Sequence, residues 1–241
     1  MPRPVAEPVL RIFICPFMGG GVAYWGDWLR LLPADVEAVI YLLPGRERRI
    51  GEPPLRTMTA VVSELARASA ACLETPFVMF GHSSGAHIAF ELTHALRERH
   101  GVLPALLVLS SAEAPHPRRR PERLSHLPAA ELLRRLDAVG GTPLAILKSR
   151  EAQRLIVPTL RADCEVAESV RYRPRPPLEC DLLVMRGEDD PRISVEQVEP
   201  WREQTARTCT LATFPGGHFY FKGQEPDVVQ RLLTEIGRGS S

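Results

Sequence analysis

The sequence predicts an α/β fold, a mostly parallel central sheet flanked by helices with a helical insertion between two core strands. Three observations predict it. Short apolar, β-branched runs alternate with amphipathic stretches, as they do when helices cover a parallel sheet. The runs at 77–82 and 105–110 are apolar almost without interruption, the pattern of strands buried on both faces. The rhythm then breaks once, between about Pro115 and Pro177, where no good strand occurs.

In chain order, strands are expected at 9–15, 37–43, 77–82, 105–110, 180–186 and 208–214. Helices are expected at 23–32, 58–73, 85–100, 194–206 and 225–237. The interrupted region opens on Pro115-His116-Pro117-Arg118-Arg119-Arg120-Pro121 and closes on Arg173-Pro174-Arg175-Pro176-Pro177. Between them lie helix-like pieces at 128–139, 150–157 and 162–170, the first two separated by Gly140-Gly141-Thr142-Pro143. Proline-rich connections around helical pieces read as a semi-independent lid. The predicted organisation is therefore a core of 1–114 and 178–241 with a lid at 115–177. The Gly-Arg-Gly-Ser-Ser end, 237–241, reads as disordered.

Bulk properties narrow the class. A chain of 241 residues, 44% hydrophobic and 24% charged, can bury a large core without staples. A net charge of +1 gives no electrostatic case for nucleic acid or membrane binding. The N-terminus lacks the apolar region of a signal peptide, and no window reaches the roughly 18 apolar residues of a membrane span. The five cysteines, Cys15, Cys72, Cys164, Cys180 and Cys209, are odd in number and contain no C-x-x-C pair. Reduced thiols and a cytoplasmic location are expected, with neither disulfides nor a metal site.

Chemistry concentrates around Gly81-His82-Ser83-Ser84-Gly85, which follows the strand at 77–82 and precedes a long helix. A strand, Gly-x-Ser-x-Gly and a helix make a nucleophile elbow, which exposes one serine hydroxyl, here that of Ser83. A serine needs a base to take its proton, and the base needs a carboxylate to orient it. The order Ser, Asp, His is that of the α/β-hydrolase fold, and this chain supplies it. Asp190 stands after the apolar strand at 180–186, just past Gly187, with Asp189 the alternative. His218 follows the last strand in a glycine-containing loop. Two backbone N–H groups are expected to hold the oxyanion: that of Ser84, and one from the loop Pro16-Phe17-Met18-Gly19-Gly20-Gly21, with Met18 preferred over Phe17. That loop lacks the spacing of a nucleotide-binding motif. His87, His94 and His100 have no metal-ligand spacing, His116 and His126 fall in the insertion or its hinge, and His82 reads as packing or backbone support.

Several segments beyond the elbow resemble the type II thioesterases, stand-alone α/β-hydrolases serving polyketide and nonribosomal peptide assembly lines. Pro16-Phe17-Met18-Gly19-Gly20 resembles that family's first loop, followed by Tyr24 and Trp28. Leu43-Pro44-Gly45-Arg46-Glu47-Arg48-Arg49-Ile50-Gly51-Glu52-Pro53 resembles its Pro-Gly-Arg-Glu-x-Arg segment. Gly140 to Pro143 and Pro158-Thr159-Leu160-Arg161-Ala162-Asp163 resemble its lid signatures. Gly187 to Pro191 and Gly216-Gly217-His218-Phe219 resemble its acid and base segments. Ser84 replaces the family's frequent Met, and Met18 its usual Ala.

The resemblance implies hydrolysis of acyl groups from the phosphopantetheine arm of acyl or peptidyl carrier proteins. It implies no cofactor, because that arm belongs to the substrate. The protein is expected to be a monomer. Carrier proteins are implied to be acidic, and Arg118, Arg119, Arg120 and Arg123 offer a basic cluster to meet them. Chain release of a medium-chain acid, hydrolysis of small esters and a non-catalytic docking role stay open as alternatives.

Overall fold

The structure is a computed structural model that describes residues 4–116, 122–138 and 149–239. Its centre is a six-stranded parallel sheet in the order β2-β1-β3-β4-β5-β6. The strands are β1 Leu10–Cys15, β2 Val36–Ile40, β3 Phe77–His82, β4 Leu106–Ser110, β5 Asp181–Gly187 and β6 Cys209–Phe214. Each matches an expected strand. β2 stops short of the predicted end: its register with β1 closes at Ile40, the Tyr41 N–H donates to the Ile14 carbonyl at 3.1 Å, and Tyr41, Leu42 and Leu43 continue as buried non-strand chain.

Alternation along each strand divides the core in two. Phe77 and Met79 of β3 face α2 (Met58–Ser69) and α3 (Ser84–His100), while Val78 and Phe80 face α1 (Gly26–Leu31) and α7 (Glu225–Gly239). Trp25, Trp28 and Phe221 fill the second layer, with Trp25 and Phe221 stacked at a centroid distance of 5.8 Å. α3 ends at Gly101, whose left-handed φ of 68° lets its N–H reach the Arg97 carbonyl.

Local chemistry moved some helix boundaries. The predicted helix at 23–32 begins as a 3-10 turn, Val22–Trp25, before α1. The predicted helix at 194–206 is a short α6 (Val195–Val198) followed by a 3-10 segment, Glu199–Gln204. Pro200 lies at that junction and has no N–H to continue an α-helix. The predicted break between 150–157 and 162–170 is absent. One helix, α5 (Arg150–Glu168), runs through Pro158. Thr159, one residue on, donates a 2.6 Å hydrogen bond to the Gly45 carbonyl, and Asp163 pairs with Arg46, so tertiary contacts hold α5 across its proline. The tail expected to be disordered is helical through Gly239.

Between β4 and β5 the chain forms α4 (Ala129–Asp137) and α5. They share a separate apolar cluster of Leu124, Leu132, Leu133, Leu136, Leu160 and Cys164, against which Met18 packs. Gly140-Gly141-Thr142-Pro143 and Arg118, Arg119 and Arg120 lie outside the described residues; Arg123 is within them and exposed. Among the described residues no helix is long and apolar enough to cross a membrane.

Candidate active site

β1 leads outward in both directions of the sheet: β2 lies on one side of it and β3 on the other. Such a switch point opens a crevice at the carboxyl ends of the strands. The loop after β1 and the turn after β3 both emerge there. The turn after β3 is sharp. Ser83 has φ 54° and ψ −124°, a conformation costly for a non-glycine residue. It is held by its N–H donating to the Ser110 carbonyl at 2.7 Å, and by the Ala86 N–H donating to the Ser83 carbonyl. A side chain at Gly81 would strike the Gly85 carbonyl, and one at Gly85 would come within 2.7 Å of the Cys15 carbonyl. The motif therefore needs both glycines for space.

His218 arrives on the loop after β6, and Asp190 on the loop after β5. Ser83 Oγ lies 2.9 Å from His218 Nε2, and His218 Nδ1 lies 2.8 Å from Asp190 Oδ2. Asp190 Oδ1 accepts from the Arg192 N–H at 2.9 Å. Burial pushes the Asp190 carboxyl upward, but the His218 hydrogen bond and charge and the Arg192 N–H outweigh it and hold the group below its ordinary value. Asp189, the alternative acid, is exposed and does not reach His218; its N–H instead donates to the Gly216 carbonyl. The acid and base loops press together backbone to backbone. A side chain at Gly187 would run into the carbonyls of Gly216 and Gly217.

His82 is fully buried beneath His218, with ring centroids 5.0 Å apart. Its Nδ1 is 2.9 Å from Ser110 Oγ, which is 2.8 Å from the Tyr220 hydroxyl. Burial, then the neighbouring positive charge of His218 and Lys222, pushes its pKa well down. The ring stays neutral and adds no positive charge beside the base. This agrees with the packing role expected for His82, and adds a buried polar network containing Ser110 and Tyr220.

The loop after β1 places Met18 beside Ser83 and Ser84 in one cavity of about 660 Å³. Ser84 opens α3, where a helix leaves its first N–H groups without an intrahelical acceptor. Phe17 turns its ring into the core against Trp25 and His82, whereas Met18 points under the insertion, its Sδ 3.5 Å from Cys164 Sγ. Asp163 of α5 holds this loop. Its Oδ2 accepts from the Gly19 N–H at 2.8 Å and its Oδ1 from Arg46 Nη2 at 2.6 Å. Arg46 Nη1 donates to the Gly20 carbonyl at 3.0 Å. Both charged side chains are over nine-tenths buried. Sequence reasoning singled out the segments containing Arg46 and Asp163 but not their pairing, which spans 117 residues. The remaining cavity lining is mixed: Leu124, Leu136, Ile156 and Leu160 of the insertion form an apolar patch, and charged side chains such as Glu47, Glu122 and Lys222 also line the cavity. Among the described residues no group of three His, Cys, Asp or Glu side chains is placed to hold a metal.

A parallel α/β sheet carrying a serine on a strained strand-to-helix turn, a histidine and a buried aspartate, in this chain order, defines an α/β-hydrolase of the serine type. The family model described as a thioesterase domain matches residues 10–236, and the chain belongs to that thioesterase family. It is 31% identical over 227 residues to the gramicidin S biosynthesis protein GrsT of Aneurinibacillus migulanus, covering 94% of this chain and 89% of that one. It is 33% identical over 236 residues to the thioesterase PikA5 of Streptomyces venezuelae, covering 97% and 83%. Among solved structures, YbtT, a type II thioesterase of the yersiniabactin pathway, superposes with a TM-score of 0.88 at 30% identity, covering 100% of this chain and 99% of that one. The protein is thus a serine hydrolase acting on thioesters.

Proposed function

We propose that this enzyme removes misloaded or stalled acyl groups from the phosphopantetheine arm of acyl or peptidyl carrier proteins, in the cytoplasm and as a monomer. The observation that carries the reading is the unbroken hydrogen-bonded chain Asp190–His218–Ser83, which ends in a cavity of about 660 Å³ with an apolar patch for an acyl group. The similarity to GrsT, PikA5 and YbtT supports the biosynthetic setting.

Each residue has a role. His218 Nε2 takes the proton of Ser83 Oγ as that oxygen bonds to the thioester carbonyl carbon. The oxyanion accepts from the N–H groups of Met18 and Ser84. His218 then gives its proton to the departing sulfur as the C–S bond breaks, leaving an acyl-serine and the free thiol of the arm. Water repeats the sequence on the acyl-serine and releases the acid. Asp190, kept ionised, orients the imidazole and stabilises its cation. This acyl transfer draws on no metal or redox cofactor, and the pantetheine belongs to the substrate. Helices α4 and α5 of the insertion act as a lid that shapes the acyl site and shields the acyl-serine.

The apolar wall of Leu124, Leu136, Ile156 and Leu160 also favours a second reading, release of a finished medium-chain acid. One experiment separates them: kcat/KM across acyl groups loaded on carrier proteins. Editing predicts broad turnover weighted toward short acyl groups. A single sharp optimum at medium length supports release, and no preference for carrier-bound thioesters over simple oxygen esters rejects both.

A further inference from the structure

A second groove, of about 550 Å³, adjoins the catalytic cavity, and both are lined by His87 and Glu168. Its charge is one-sided. Arg123, Arg171, Arg173 and Arg175 line it against two carboxylates, Glu91 and Glu168. Glu91 is ion-paired and Glu168 is bonded by neutral donors, so guanidinium groups still outnumber carboxylates in the groove. Glu91 accepts from Arg175 at 2.7 Å. Glu168 accepts from the N–H groups of Leu124 and Ser125 and from the Ser125 hydroxyl. Among the described residues Arg171 donates to the backbone carbonyls of Glu168 and Val170 and makes no ion pair. Arg123 and Arg173 are exposed and make no ion pair among the described residues.

Two prolines restrict part of the backbone that carries these charges. Arg173 and Arg175 each precede a proline, Pro174 and Pro176, which confines both to extended conformations. Arg175 is fixed further by the Phe90 ring, 5.4 Å from its guanidinium carbon. Tyr172, between Arg171 and Arg173 in the sequence, is exposed and offers a flat contact. A groove with more guanidinium groups than carboxylates and an exposed aromatic, at the border of a catalytic cavity, suits docking of a negatively charged protein face.

We infer that the groove formed by Arg123, Arg171, Arg173 and Tyr172 docks the acidic face of the domain that carries the acyl thioester, beside the opening through which its arm reaches Ser83. The inference rests on the carrier-protein reading above and gives it a surface. Electrostatic steering from this groove acts on encounter, so it raises kcat/KM for the large substrate and leaves the chemical step alone.

The test is the triple reversal Arg123→Glu, Arg171→Glu, Arg173→Glu. It is assayed with an acyl group on a carrier protein and with the same acyl group on N-acetylcysteamine, at low and at physiological salt. For the wild-type enzyme, kcat/KM on the carrier substrate should fall severalfold as salt rises. In the variant it should be about tenfold or more lower at low salt and nearly flat with salt. The small thioester should be turned over alike by both enzymes. An unchanged rate on the carrier substrate, or an equal loss on both substrates, would overturn the docking role. If the reversal prevents folding, the milder Arg123→Gln, Arg171→Gln, Arg173→Gln variant carries the same comparison with about half the effect. Failure of the carrier-protein reading shows separately: the wild-type enzyme would then not prefer the carrier substrate at all.

Discussion

Ser83 and His218 stand on one wall of the cavity with Asp190 behind His218, after the ends of β3, β6 and β5, and Leu124, Leu136, Ile156 and Leu160 of the helical insertion form a second wall. The first wall is positioned by backbone. Ser83 is held in its strained turn by main-chain hydrogen bonds, and glycine contacts seat the elbow and join the acid loop to the base loop. The second wall is positioned by side chains: a small apolar cluster of its own, the Arg46–Asp163 pair, and the Thr159 hydroxyl on the Gly45 carbonyl. The contrast teaches where change can be absorbed. The chemistry depends on main-chain geometry that few substitutions leave intact, while the shape of the acyl site depends on side chains that can be exchanged one at a time.

The largest expected effect falls wholly on the first wall. Ser83→Ala should lower kcat by about 10⁴-fold or more while the melting temperature stays within a degree or two, because the hydroxyl contributes to chemistry and not to packing. Retained turnover would show that the elbow is not the nucleophile. Asp190→Asn should cost about 10³- to 10⁴-fold in kcat, whereas Asp189→Asn, at an exposed side chain away from His218, should change it by less than about threefold.

Asp163→Ala inverts the pattern. It leaves the Arg46 guanidinium buried without its partner and releases the Gly19 N–H, so it should destabilise the fold by about 3 kcal/mol or more in chemical denaturation. If Asp163→Ala proved neutral in stability, the insertion would be held by its apolar cluster alone. A smaller effect belongs to the core beneath the first wall. His94 is buried, and burial, then Arg175 and Arg97, lowers its pKa to about 3. The unfolded chain takes up a proton below about pH 6.5 that the folded one refuses until near pH 3. Its contribution is therefore complete above pH 6.5 and drains away as the pH falls toward 3. His94→Gln should flatten that part of the stability–pH curve, and an unchanged slope would assign the acid sensitivity to other groups.

The same contrast explains what could be read from the amino acids. The strands and the Ser83, Asp190, His218 order are local signals: an apolar run, a glycine turn, a residue type at the end of a strand. Each was legible because a few neighbouring residues determine it. The Arg46–Asp163 pair carries no such local mark, since either residue alone reads as an ordinary charged position; only the fold brings them together across 117 residues. Nor does the His82–Ser110–Tyr220 network, whose members come from two strand ends and a loop. Pro158 shows the opposite case: it falls in the gap expected between 150–157 and 162–170, yet contacts from distant Gly45 and Arg46 hold one helix across it. Chain order could not choose between Asp189 and Asp190, because adjacent residues in a turn point in different directions, and that direction is a three-dimensional fact.

Gly187 has no functional group, yet it determines how far apart the acid and the base can stand. With the carbonyls of Gly216 and Gly217 seated where its side chain would be, the loops bearing Asp190 and His218 behave as the two arms of one calliper, and the setting of that calliper is zero. Any larger residue at 187 would have to open the arms before it touched substrate, solvent or Ser83. A residue bearing no chemistry therefore sets the spacing on which the proton relay runs.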